Sequence, residues 1–171
     1  LELERPPFSV IATELPVNLI IENQKFSMRL DRVDSTTSGH VIIDYKTGQA
    51  HLSDWFTDRP DNPQMLLYAL AYQPSPTGLA YGQLNANKLR FLGIIKQDTE
   101  WPGMLLSDKK NELPPWSILL EQWRHSIQQL IRRTEHASPI LNPKYGALTC
   151  NQCHLHSLCR IKEQEHDIEH T

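Results

Sequence analysis

The feature that most constrains the fold of this chain is a pair of extended segments separated by a short turn-forming cluster. Residues 26–34 alternate between apolar and polar side chains, and residues 40–46 contain the β-branched run Val41-Ile42-Ile43. The five residues between the segments, Ser35-Thr36-Thr37-Ser38-Gly39, are typical of turns. The two segments are therefore expected to pair as an antiparallel β-hairpin.

The register of this hairpin predicts where its charged side chains lie. If residues 36–39 form a four-residue loop, Ser35 pairs with His40 and Asp31 lies opposite Asp44. Opposed carboxylates destabilise a sheet, but a divalent cation such as Mg²⁺ between them reverses the sign of the interaction. Strand alternation places Lys46 on the same face as Asp44. Such a patch could hold a cation, orient a water molecule and neutralise charge on a phosphodiester, although ordinary edge-strand charges are the alternative explanation.

The rest of the chain predicts further strands and two helices. Residues 8–12 and 17–22 are rich in Val and Ile and predict two short strands. A helix is expected to begin at Pro63, and a strand over residues 88–96 follows a link rich in Pro and Gly. A longer helix is expected from Pro114-Pro115 to about residue 137, because its apolar residues recur at helical spacing. This order predicts an α/β fold, with a mixed β-sheet flanked by helices.

Composition limits the class of protein. The 171 residues suffice for about one domain. A net charge of −3 and a pI near 6.2 disfavour a protein that coats nucleic acid nonspecifically. No apolar run is long enough to span a membrane and no signal peptide is visible, so a cytoplasmic protein without a membrane partner is expected. Because the chain lacks an initiator Met, we expect it to be a C-terminal fragment of a larger protein, with a polar tail at residues 161–171.

The hairpin resembles a known family. Residues 28–34 (MRLDRVD) and 41–48 (VIIDYKTG) are similar to the core of PD-(D/E)XK nucleases of the RecB/AddB type, in which an IDR(I/V)D strand precedes a DYKTG strand. The resemblance implies a restriction-endonuclease-like fold over residues 1–160. It also implies that Asp31 and Asp44 are metal ligands and that Lys46 is the catalytic lysine. The backbone carbonyl of Tyr45 would be a further ligand, and Glu14 occupies the place of the family's upstream acidic residue.

A second motif of the family follows the hairpin. Gln64 and Tyr68 match its Q-x-x-x-Y helix and, four residues apart, share one helix face. They are expected to approach the active site or the DNA backbone, with Arg29 and Arg32 also contacting the strand. The resemblance implies exonuclease-like hydrolysis of DNA with Mg²⁺ or Mn²⁺ in a bacterial repair or recombination protein, often coupled to a helicase. A catalytically inactive DNA-binding or interaction scaffold of the same fold is the alternative.

Three cysteines near the end of the chain form a C-x₂-C-x₅-C pattern. Taken alone, Cys150, Cys153 and Cys159 could ligate an iron–sulfur cluster, bind zinc with His154 or His156 in an interaction module, attach haem, or stay free thiols. The family resemblance implies a [4Fe–4S] cluster whose fourth ligand is an upstream cysteine. This sequence holds no upstream cysteine, so the complete cluster is expected only in the full-length protein.

Overall fold

A mixed β-sheet organises the part of the chain that the computed structural model describes, namely residues 2–85, 88–96, 101–107, 113–135 and 142–159. Within these ranges the sheet has six strands in sequential order: β1 Phe8–Ile21, β2 Gln24–Thr36, β3 Gly39–Lys46, β4 Gly78–Asn85, β5 Lys88–Ile95 and β6 Met104–Leu106. The pairs β3–β4 and β5–β6 are parallel, and the other three are antiparallel. The predicted fold class, a mixed sheet with flanking helices, is confirmed.

Two longer helices accompany this sheet. They are α1 Gln64–Ala71 and α2 Trp116–Glu135, and short 3₁₀ helices lie at Glu2–Glu4 and Leu52–Phe56. The first helix begins directly after Pro63, and the second directly after Pro115, as predicted. The expected end of the second helix near residue 137 lies outside the described residues. Residues 1–132 form one compact unit, and residues 133–171 form a second.

The first unit has an apolar core on each face of its sheet. The larger core joins Ile42, Leu79 and Ile94, which are register neighbours on β3, β4 and β5, to Met65 of α1 and Trp123 of α2. A smaller core on the opposite face contains, among others, Val41, Ile43, Ala80, Phe91 and Trp101. The β-branched run of β3 is buried because each of its faces meets a core.

The first strand differs from the sequence-based expectation. Residues 8–12 and 17–22 belong to one continuous strand, β1, which passes through Pro16. Because β1 lies at the edge of the sheet, it can accommodate Pro16, which has no backbone N–H to donate. The pairing register shifts between Val10 and Ala12, and Glu14 adopts a positive φ of 50°.

Two strands were not predicted. Residues 78–85, taken as part of a link rich in Pro and Gly, form β4 in the interior of the sheet between β3 and β5. A Cβ atom at Gly82 would lie 2.6 Å from the Tyr45 ring, so the close packing of these strands requires glycine there. The three-residue β6 was also missed.

The hairpin turn is tighter than expected. Ser35 pairs with His40 as predicted, but Thr36 also pairs with Gly39, so only Thr37 and Ser38 connect the strands. Gly39 has a φ of 120°, and an added Cβ would lie 2.6 Å from the Thr77 side chain. Glycine meets both the conformational and the spatial demands at this position.

Gly93 of β5, which pairs with β4 on one side and β6 on the other, generates a stability prediction. A Cβ atom at Gly93 would lie 2.1 Å from the Leu79 carbonyl oxygen and 2.8 Å from the Ala80 Cα, both backbone atoms. Since the sheet must shift to accommodate it, Gly93→Ala should lower the free energy of unfolding by about 1–3 kcal/mol. Gly48→Ala is the matched control, because nothing lies within 4 Å of its added Cβ. Equal urea midpoints for the two variants would contradict the packing argument.

Candidate active site

The predicted acidic and basic residues of β3 lie where its buried run ends. Asp44 is 1% exposed, and the carboxylate Oδ2 accepts no hydrogen bond of acceptable geometry. The Lys46 Nζ atom lies 2.7 Å from this oxygen, and the Lys46 side chain is 27% exposed. A single ion pair therefore offsets the charge of a carboxylate that is almost removed from water.

Asp31 lies beside this pair. The β2–β3 ladder runs to the Arg32–Ile43 pair, and the next step along it would bring Asp31 to Asp44. Asp31 Oδ2 instead accepts a hydrogen bond of 3.0 Å from the backbone N–H of Tyr45. Burial raises the pKa of Asp44, the ion pair with Lys46 lowers it, and the negative charge of Asp31 raises it further, for a net rise. The two carboxylates therefore lie within electrostatic range of each other.

The backbones of β1 and β2 are both irregular next to Asp31. Leu30 and Val33 of β2 belong to the same core cluster although they are three residues apart, so the alternation of side chains is interrupted between them. On β1, Glu14 lies between Thr13, which pairs with Arg32, and Leu15, which pairs with Leu30. Glu14 is thus level with Asp31 and carries the positive φ there. Backbone strain of this kind clusters at functional sites.

Helix α1 brings the second motif into direct contact with Lys46. Lys46 Nζ donates a hydrogen bond of 2.7 Å to Gln64 Oε1, and Gln64 Nε2 donates one of 2.6 Å to the Tyr68 hydroxyl. The Tyr68 hydroxyl in turn donates to the backbone carbonyl of Arg29 at 2.7 Å. A continuous chain of polar contacts therefore runs from Asp44 on β3, through α1, to β2.

The electrostatics of Tyr68 show which acidic groups surround this chain. Burial raises the pKa of Tyr68, the hydrogen bond from Gln64 lowers it, and the charges of Asp44, Asp31 and Glu14 raise it. All three candidate carboxylates thus act on one hydroxyl. The Glu14 side chain is nevertheless 59% exposed and forms an ion pair of 2.6 Å with Arg29 Nε.

The two arginines expected to contact DNA occupy different environments. The Arg29 side chain is 70% exposed next to Glu14. The Arg32 side chain is 13% exposed: it donates to both carboxylate oxygens of Asp34, at 2.7 and 2.9 Å, and to the Tyr45 hydroxyl at 2.9 Å. Burial lowers the pKa of Arg32, but Asp34 and Tyr45 raise it by more. Asp34 and the Tyr45 hydroxyl therefore hold the Arg32 side chain mostly out of solvent, whereas Arg29 is exposed.

Strand β4 supplies neighbours of this site that the sequence did not predict. Tyr81 pairs with Asp44, and the Tyr81 ring centroid lies 5.9 Å from Lys46 Nζ. The Tyr81 hydroxyl accepts a hydrogen bond of 3.0 Å from Trp55 Nε1. Gln83 pairs with Lys46 and is 2% exposed. Without the recognition of residues 78–85 as an interior strand, no signal placed these side chains next to the DYK segment.

The donor set is compatible with a hard divalent cation. Mg²⁺ is usually held by one or two carboxylates together with water and substrate oxygens. Asp31 and Asp44 provide two such groups. No hydrogen bond satisfies the buried Asp44 Oδ2, and a bound cation could do so instead. Within the described ranges, no three His, Cys, Asp or Glu side chains are grouped to hold a metal ion.

The cysteines lie in the second unit. Cys150 is in helix α3, Ala147–Asn151, and Cys159 ends helix α4, His156–Cys159, with Cys153 between these helices. None of the three forms a disulfide, and all are partly buried. Cys153 Sγ accepts a hydrogen bond of 3.4 Å from the Leu155 N–H. Across the portion of the chain with described positions, the three thiols do not form a metal-binding group.

Comparison with known proteins identifies the family. The family model for the PD-(D/E)XK nuclease superfamily matches residues 1–160, and the chain belongs to that superfamily. No curated protein matches the chain. A solved structure titled "Crystal structure of SSO0001" is similar at 11% identity with a TM-score of 0.34. The match covers 91% of this chain, which spans 59% of that structure's length.

Membership of the superfamily indicates the chemistry of the site. Its members are typically nucleases that use divalent metals and act on DNA, which accords with the oxygen donors of β2 and β3. In the described segments, no helix combines the length and apolarity that crossing a membrane requires.

The polar chain through α1 generates a prediction about stability. Tyr68→Phe removes the donor to the Arg29 carbonyl and the acceptor for Gln64, while the apolar ring keeps its buried position. Because two partly buried hydrogen bonds are lost, the free energy of unfolding should fall by about 1–3 kcal/mol. Tyr145→Phe is the control, since the Tyr145 residue is 53% exposed. Denaturant unfolding that fails to separate the two variants would show that the hydroxyl contacts contribute nothing.

Proposed function

We propose that this chain is a Mg²⁺- or Mn²⁺-dependent DNA nuclease domain of the RecB/AddB type, spanning residues 1–160. The reaction would be exonuclease-like hydrolysis of phosphodiesters, in a bacterial repair or recombination protein that works with a helicase. Superfamily membership supports nuclease activity, and the order of the DYKTG strand, the Gln64 helix and the cysteines supports the finer assignment.

The observation that carries the proposal is the double attachment of Lys46. The Lys46 ammonium contacts Asp44 Oδ2 and Gln64 Oε1, each at 2.7 Å. An ordinary edge-strand lysine would extend into water, because fixing its long side chain costs conformational entropy. Restraint of one ammonium by two motifs that are 18 residues apart favours a preorganised site over unrelated surface charges.

Each candidate residue has a distinct role in this proposal. Asp31 and Asp44 would hold the cation, with the Tyr45 carbonyl and Glu14 as further ligands inferred from the family motif. A bound cation would polarise the phosphodiester and lower the pKa of water. The Lys46 ammonium would orient the attacking water and offset negative charge that develops on the phosphate.

The surrounding groups would position this chemistry. Gln64 fixes the direction of the Lys46 ammonium, and Tyr68 fixes the Gln64 amide through a hydrogen bond of 2.6 Å. Arg29, which is largely exposed beside the site, would contact the DNA strand. Asp44 Oδ2 contacts the same ammonium at 2.7 Å and holds it from the other side.

Loss of Lys46 tests the catalytic assignment. Lys46→Met keeps most of the side-chain length but removes the charge, so Mn²⁺-dependent release of label from end-labelled single-stranded and duplex DNA should fall by about 10²–10⁴-fold. Lys25→Met is the matched control, because Lys25 is exposed and lies six residues from Asp31 along β2, or about 20 Å. Equally slow release by wild type and Lys46→Met would favour an inactive scaffold of the same fold.

The cysteine pattern extends the proposal to an iron–sulfur cluster. Cys150, Cys153 and Cys159 would supply three ligands of a [4Fe–4S] cluster in the full-length protein, and the support is their spacing and order in the family. The fourth ligand would come from a cysteine outside this sequence.

Metal analysis tests the cluster. The full-length protein, purified without oxygen, should contain about four iron atoms per chain and absorb broadly in the visible range. Cys153→Ser should remove both the iron and the absorbance. Stoichiometric zinc in a colourless protein would instead identify a zinc-binding module completed by histidine.

A further inference from the structure

The side chains of β3, β4 and β5 change from apolar to polar over three successive rows as these strands leave the core. On the face covered by α1 and α2, the first row across β3, β4 and β5 is Ile42, Leu79 and Ile94. The second row is Asp44, Tyr81 and Leu92, and the third row is Lys46, Gln83 and Arg90. The candidate catalytic lysine is therefore one member of a polar row that ends on Arg90.

Side-chain contacts hold this row together. Arg90 Nε donates a hydrogen bond of 3.0 Å to Gln83 Oε1, and Gln83 Nε2 donates one of 3.0 Å to the Gly48 carbonyl. Gln83 is 2% exposed and makes both contacts with its one side-chain amide. Gln83 thus links Arg90 to Gly48, the last residue of the DYKTG segment, and it fixes the direction of the guanidinium.

The charge of Arg90 has no acidic partner in the described part of the chain. No carboxylate there lies within the 4.0 Å that defines an ion pair with this side chain. Glu4 lines the same surface pocket of about 230 Å³ without forming an ion pair with Arg90. Arg90 is half-buried, and its Nε is used by Gln83. The guanidinium is thus anchored on one side and retains terminal donors suited to an anion.

We infer that Arg90, positioned by Gln83, binds a backbone phosphate of the single-stranded DNA that enters the Lys46 site. This inference rests on the proposed nuclease function. Lys46 and Arg90 are two strands apart, so their Cα atoms are separated by about 10 Å. A strand whose scissile phosphate lies at Lys46 can therefore place a neighbouring phosphate at Arg90. Such a contact holds the strand in place without reading its bases.

Salt-dependent binding tests this contact without requiring cleavage. The probe is a fluorescein-labelled single-stranded oligonucleotide in EDTA, with the dissociation constant measured by anisotropy from about 0.05 to 0.3 M NaCl. Loss of one phosphate contact should reduce the slope of log K against log salt by about 0.7, which corresponds to about fivefold weaker binding at 0.1 M salt. Arg90→Ala and Arg90→Gln should both show this change, and the second keeps a donor for Gln83.

Controls separate this inference from the nuclease assignment. Arg90→Lys keeps the charge and should keep the slope, and Lys25→Ala removes a distant exposed charge and should also keep it. An unchanged slope and affinity in both Arg90→Ala and Arg90→Gln would overturn the inference, even if Lys46→Met abolishes cleavage. The converse outcome is a wild type that cleaves no DNA while both Arg90→Ala and Arg90→Gln still reduce the slope. That result would uphold the phosphate contact and contradict the nuclease activity.

Discussion

The burial of Asp44 is the constraint from which the arrangement of the site follows. A carboxylate that is 1% exposed is costly unless a charge or a cation compensates it. Lys46 compensates in part, and its ammonium is held by Gln64 at the first turn of α1. Tyr68 then links α1 to the backbone of β2. A connected set of contacts that starts at one buried charge therefore joins two strands and a helix, and displacement of α1 would remove the Gln64 contact that holds the Lys46 ammonium.

Ion pairs and hydrogen bonds on the opposite face of the sheet also support this site. Arg5 and Arg32 both contact Asp34 at 2.7 Å, and the Arg5 and Asp34 side chains are fully buried. Arg32 also donates to the Tyr45 hydroxyl, while the Tyr45 backbone N–H holds Asp31 on the candidate site. Tyr45 thus connects a rigid ionic network to a metal-ligand candidate. Its ring rests on Gly82, where any larger residue would displace it.

Local chain signals sufficed for the hairpin but not for its surroundings. The turn cluster at residues 35–39 and the run before Asp44 predicted the Ser35–His40 pairing, because turn chemistry and alternation act between neighbours. Strand β4 was missed because its two glycines are unfavourable in an isolated strand, and the close packing that requires Gly82, beneath the Tyr45 ring, comes from a different strand. The largely buried position of Arg32 depends on its contacts with Asp34 and with the Tyr45 hydroxyl. The sequence pattern of one β-strand does not specify such contacts.

The order of charges along the strands explains how a chain with a net charge of −3 could bind a polyanion. Asp31 and Asp44 would repel a phosphate, but Asp44 is already paired with Lys46, and a cation would neutralise more of the remaining charge. One row further from the core, Lys46 and Arg90 present positive charge at the edge where a strand would arrive. Asp44 lies one row deeper than Lys46 and Arg90, so a DNA strand that approaches these rows meets the two basic groups before Asp44. Local placement, rather than total charge, therefore decides whether this surface suits DNA.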